Sequence, residues 1–87
     1  MKQIYKYLLT IDANNSIELP KNSKILSLQL QNNNPCIWVL VDPKEPLEVI
    51  NFVTYGTGHE IKSGLGDFIG TYQLHDGALV FHVFKQN

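Results

Sequence analysis

Apolar and polar positions alternate with a period of two along most of this chain, the signature of half-buried β-strands. From Gln3 to Ile11, Tyr5, Tyr7, Leu9 and Ile11 share one face, while Ile4, Lys6, Leu8 and Thr10 share the other. The cluster Asp12-Ala13-Asn14-Asn15 predicts a turn, because Asx side chains bond nearby backbone and tolerate left-handed conformations. Ser16–Leu19 predicts a short second strand, ended by Pro20. Lys24–Gln31 predicts a third, with Leu26, Leu28 and Leu30 inward and Ser27 and Gln29 outward.

Asn32-Asn33-Asn34-Pro35 then reverses the chain into Cys36–Asp42. The run CIWVLV is continuously apolar, so this strand is expected at the centre of a sheet and covered on both sides. Pro43-Lys44-Glu45-Pro46 interrupts the ladder, and Leu47–Tyr55 returns as a fifth strand. On it Leu47, Val49, Asn51 and Val53 oppose Glu48, Ile50, Phe52 and Thr54. Gly56 to Asp67 reads as a long loop holding four of the six glycines, and loops of that length are often functional. Phe68–Leu74 and Ala78–Phe84 predict a hairpin closed by His75-Asp76-Gly77, since Asp-Gly readily supplies the positive φ a tight turn needs. The expected fold is all-β. About seven antiparallel strands would form one domain over residues 1–87, a small barrel or sandwich with little or no helix.

Composition narrows the functional classes. At 87 residues, 44% apolar and 17% charged, the chain is suited to one small core and not to a disordered tail. Its longest apolar run, Cys36–Val41, falls far short of the roughly 18 residues of a membrane helix, so no membrane partner is expected. The one cysteine, Cys36, has no partner within the chain for a disulfide or a thiolate zinc site, which fits a reducing compartment. Seven lysines, no arginine and eight carboxylates leave a net charge of −1, with the charges dispersed. Duplex nucleic acid is read by a clustered positive stripe, often of arginine, so it is not an expected partner. Mimicry of DNA by acidic surface would need far more carboxylate.

Candidate chemistry is sparse. His59-Glu60 opens like a zinc-protease motif, but no histidine follows four residues on. His75 falls in a turn and His82 on a strand, and nothing in their spacing calls for a metal. Cys36, among apolar neighbours, reads as a small buried hydrophobe rather than a nucleophile. No serine lies in a nucleophile elbow. No catalytic residues and no cofactor are therefore expected. The loop Tyr55-Gly56-Thr57-Gly58-His59-Glu60 is the best candidate for binding. Its small residues let backbone N–H groups approach an anion, Thr57 adds a hydroxyl and Lys62 a positive charge. Tyr5, Tyr7, Tyr55 and Tyr72 offer faces on which a base can stack. The alternative is a wide turn without function.

The blocks IELP (Ile17–Pro20), KILSLQLQNNNPCIWVLVDP (Lys24–Pro43), YGTGHE (Tyr55–Glu60) and FIGTYQLHDGALVFHVF (Phe68–Phe84) together resemble a family of small bacteriophage and prophage proteins, a domain of unknown function. The resemblance covers almost the whole chain and implies an accessory protein made in the host bacterial cytoplasm. It supplies no catalytic residues. Small non-structural phage proteins often blunt host defence, which orders the expectations. The first is a non-enzymatic sponge for a nucleotide immune signal, a cyclic dinucleotide or an ADP-ribose derivative. Such a ligand would be held at a homo-oligomer interface near Tyr55, Thr57, His59, Lys62 and Tyr72. The alternatives are a direct protein inhibitor of a defence complex, including an anti-CRISPR role, and a minor virion or morphogenesis adaptor.

Overall fold

In a computed structural model, which describes residues 1–62 and 64–86, the alternating segments become seven strands. They are β1 (Gln3–Leu8), β2 (Asn14–Pro20), β3 (Lys24–Gln31), β4 (Asn34–Val41), β5 (Leu47–Gly56), β6 (Asp67–Leu74) and β7 (Leu79–Lys85). One sheet has the order β1-β4-β3 and the other β2-β5-β7-β6, with every pairing antiparallel. The sheets stack as a sandwich and do not close into a barrel. At one edge β6 approaches β3 so closely that a Cβ on Gly70 would lie 3.1 Å from the Leu28 side chain. The two strands share no ladder there.

Turn chemistry explains the hairpins. Asn32 and Asn33 adopt φ of 52° and 65°, giving β3 and β4 the two-residue primed turn whose twist matches the strands. Between β6 and β7 the turn is one residue longer than expected. His75, Asp76 and Gly77 all have positive φ, Ala78 joins the turn, and Leu74 pairs with Leu79.

The core is the layer between the sheets. Leu28 of β3 and Ile37, Val39 and Val41 of β4 face Phe52 of β5, Tyr72 of β6 and Val83 of β7 in one buried cluster. β4 is the middle strand of its sheet, as its apolar run predicts. Its outer residues Trp38 and Leu40 are only half-buried, so the outward cover is partial.

Two expected faces are corrected. A bulge between Ile25 and Ser27 shifts the phase of β3, so Ile25 packs on the core and Leu26 is left 44% exposed. β1 ends at Leu8 rather than Ile11. Leu9 still turns inward, but Asn15 Oδ1 accepts a hydrogen bond from the Thr10 amide at 3.0 Å and bends the chain away, leaving Ile11 59% exposed. Among the described residues no helix is long and apolar enough to cross a membrane.

Candidate functional site

The end of β5 carries the chain into the glycine-rich loop, and the local backbone follows from two hydrogen bonds. Thr57 N–H donates to the carbonyl of Val80 on β7 at 3.0 Å, and His59 N–H donates to that of Gly56 at 3.1 Å. The second bond closes a tight turn with Gly58 at φ 88°. It also lays the His59 ring against residue 56. A Cβ there would sit 2.7 Å from the ring's Cε1 and 2.9 Å from Nδ1, so the ring occupies space that only glycine leaves free. Gly56, Thr57 and His59 form one wall of a shallow hollow of about 300 Å³, and Ala78–Phe81 form the other.

Beside the hollow lies a hydrogen-bonded line. Thr57 Oγ1 is 2.7 Å from His82 Nε2, and Thr71 Oγ1 is 2.9 Å from His82 Nδ1. A neutral imidazole has one donor and one acceptor nitrogen, so one threonine hydroxyl accepts from the ring and the other donates to it. Strand register makes the line. β5–β7 pairing sets Tyr55 opposite His82, and β6–β7 pairing sets Thr71 opposite His82. All three side chains therefore rise from the outer face of the four-stranded sheet. A hydroxyl at hydrogen-bond distance from an imidazole is the first half of a nucleophile–base pair. Here the far ring nitrogen meets a hydroxyl instead of an orienting carboxylate, which makes the line better suited to holding a polar group than to acyl transfer.

The predicted site residues separate into two groups. Tyr55, Thr57 and His59 gather at this end of β5. Tyr55 is half-buried, edge-on to Phe84 with ring centroids 6.1 Å apart. Lys62 follows in the same loop and is exposed. Tyr72 is elsewhere: it pairs with Phe81 on the inner face and is 3% exposed, so its ring is a core residue. Ser63 lies outside the described residues. His82 and Thr71 are the polar residues that sequence reasoning did not place here. Among the described residues no group of three or more His, Cys, Asp and Glu side chains is arranged to hold a metal ion.

Compared with known families, residues 1–87 match the domain of unknown function DUF7352 from end to end. The chain belongs to this family. No curated protein and no solved structure matches it. In this DUF7352 chain the hollow and the threonine–histidine line are thus read from chemistry alone.

Tyr72 carries a prediction of its own. Its hydroxyl is buried with no hydrogen-bond partner among the described residues, and burial pushes its pKa up from 10.0. Burial, and then the neighbouring Tyr5, do the same to Tyr7. A phenol whose folded pKa is raised keeps its proton longer in the native state than in the unfolded one. Stability is then fully present below pH 10 and falls as pH rises through the folded value. Tyr72→Phe is expected to cost less than about 1 kcal/mol at neutral pH, since no bond is lost. It should also flatten the alkaline loss in denaturant melts between neutral pH and pH 11. A large neutral-pH penalty would mean that the hydroxyl has a partner after all.

Proposed function

We propose that this chain is a non-catalytic binding protein that sequesters a small anionic ligand of nucleotide type at the hollow of Gly56, Thr57 and His59. The observation that carries the reading is the way Gly56 admits the His59 ring, shaping a hollow of about 300 Å³ at the mouth of the glycine loop. That volume is the lower bound of ordinary ligand pockets. The exposed ammonium of Lys62 supplies charge for a phosphate, and His59 and Thr57 supply polar contacts. A cyclic dinucleotide or an ADP-ribose derivative is larger than the hollow, so a neighbouring subunit would complete the site. On the view that the family is carried by phages, the ligand is a host immune signal held in the bacterial cytoplasm and the activity is counter-defence.

The test is capture and release. Protein incubated with a mixture of cyclic dinucleotides and ADP-ribose derivatives is washed and heated, and the supernatant is chromatographed. Recovery of an intact nucleotide only after heating is the expected result. Lys62→Glu and Gly56→Ala should each lower retention at least about tenfold, roughly 1.4 kcal/mol, with an unchanged thermal melt. A chemically altered product would point to catalysis and to the Thr57–His82 pair. If nothing is retained, the reading fails.

A second reading, direct capture of a protein of a host defence complex, draws on the apolar outer face of the four-stranded sheet. Leu47, Val49 and Phe68 stand 57%, 59% and 60% exposed there.

A further inference from the structure

The four-stranded sheet has an outer face that lacks the composition of a solvated surface. The registers of β5, β7 and β6 send Leu47, Val49, Tyr55, Phe84 and Phe68 outward along with His82 and a few amide and hydroxyl residues such as Asn51 and Thr71. No outward position on these three strands is a lysine, aspartate or glutamate. Glu18, on the edge strand β2, is the one charged residue of the face among the described residues. A soluble domain's surface is typically about a quarter to a third charged. The opposite broad face, on the three-stranded sheet, does carry charges: Lys6 and Lys24 pair with the outward Trp38 and Leu40. Aromatic rings also concentrate on the charge-poor face. Phe68 and Tyr55 flank Phe84 with centroids 5.4 and 6.1 Å away. Charge depletion with aromatic enrichment is the compositional mark of an interface core.

We propose that this face is covered by a second copy of the chain, packed sheet on sheet across a two-fold axis. Four arguments select a second copy. A twisted sheet face is complementary to another of its kind, and such faces stack about 10 Å apart with strands nearly aligned. A net charge of −1 leaves little repulsion between two identical chains. The accessible surface, 5765 Å², exceeds the roughly 5,200 Å² expected of a folded monomer of this mass, as a subunit with an uncovered interface would. The area is also sufficient. Four strands about 4.8 Å apart and some seven residues long present a plane of about 450 Å². Its side-chain relief brings the accessible area toward the roughly 800 Å² per partner of a standard interface.

Sedimentation equilibrium and light scattering of the full chain test this, and they read mass rather than ligand, so their outcome is separable from that of the capture assay. At about 100 µM the chain should run at twice 9.9 kDa. Val49→Lys and Phe68→Lys place a like charge opposite its own copy or in the apolar seam. Each should weaken association at least tenfold while leaving a folded monomer by circular dichroism, because both positions are exposed on the single chain, and the melt should fall only by what dimerisation contributes. Leu8→Lys, 61% exposed before substitution and outward on the other sheet, should leave the dimer intact. A monomer at that concentration overturns the proposal and frees the face for a different protein partner. Dissociation by Leu8→Lys but not by Val49→Lys overturns it too, by moving the interface to the three-stranded sheet.

Discussion

Gly66→Ala is expected to cost about 3 kcal/mol or more of folding stability, although the residue lies in an exposed loop. Gly66 has φ 73°, where an alanine pays about 1–2 kcal/mol for its Cβ. The larger contribution is steric. A Cβ at this position would overlap the Lys85 carbonyl oxygen and stand 3.1 Å from its carbon, both backbone atoms that cannot rotate away. Relief requires moving the start of β6 off the end of β7, where Asp67 pairs with Lys85. A domain of this size has a total stability of roughly 4–13 kcal/mol, so the change takes a substantial share of it. Gly64→Ala is the control: among the described residues nothing lies within 4 Å of the added carbon. Urea denaturation of the two variants should show a large fall in midpoint for the first and almost none for the second. Equal effects would mean that the loop does not pass over the Lys85 carbonyl as described.

Phe52→Ala should be at least as damaging. Phe52 is 0% exposed and sits on β5, midway across the core, with Ile37, Val39 and Val83 in the same buried cluster. Truncating a buried phenylalanine costs about 3–5 kcal/mol, because the transfer energy of the ring is lost and the surrounding side chains close only part of the cavity. Two sheets held apart by other large residues have little freedom to collapse into that space. The variant is expected to be largely unfolded at physiological temperature or to show a greatly reduced urea midpoint with an unchanged slope. Phe68→Ala, on the outer face and 60% exposed, should change monomer stability by less than about 1 kcal/mol. A Phe52→Ala penalty as small as that would contradict the placement of the core.

Much of the fold could be read in the alternation. The inward series Ile50, Phe52 and Thr54 and the outward Leu47 and Val49 follow from period two, and the asparagine and Asp-Gly turns fall where their left-handed residues are needed. The candidate site was only partly readable, and one residue of turn length accounts for much of the difference. A hairpin closed by three residues, with Leu74 opposite Ala78, sets Thr71 across from Phe81. The actual four-residue turn sets it across from His82 and puts Tyr72 across from Phe81 on the inner face. A one-residue slip exchanges the faces of a strand. It therefore decides both that Thr71 bonds the His82 ring and that Tyr72 belongs to the core. An Asp76-Gly77 pair taken as the two central turn residues would have indicated the observed register.

The sequence by itself determined the strand content, the placement of the turns and the absence of the clustered positive charge that duplex binding uses. All three rest on local chemistry: side-chain alternation, residues that accept positive φ, and counted charge. Only the tertiary structure decided that β2 joins β5 rather than β3, that β3 bulges at Leu26, and that the sandwich stays open at the β3–β6 edge. It also decided that His59 rests on Gly56 and that His82 lies between Thr57 and Thr71. These features depend on which side chains fill a shared volume and on which strands, distant in the chain, lie side by side. No short-range pattern contains that information, because packing is a property of all the strands at once.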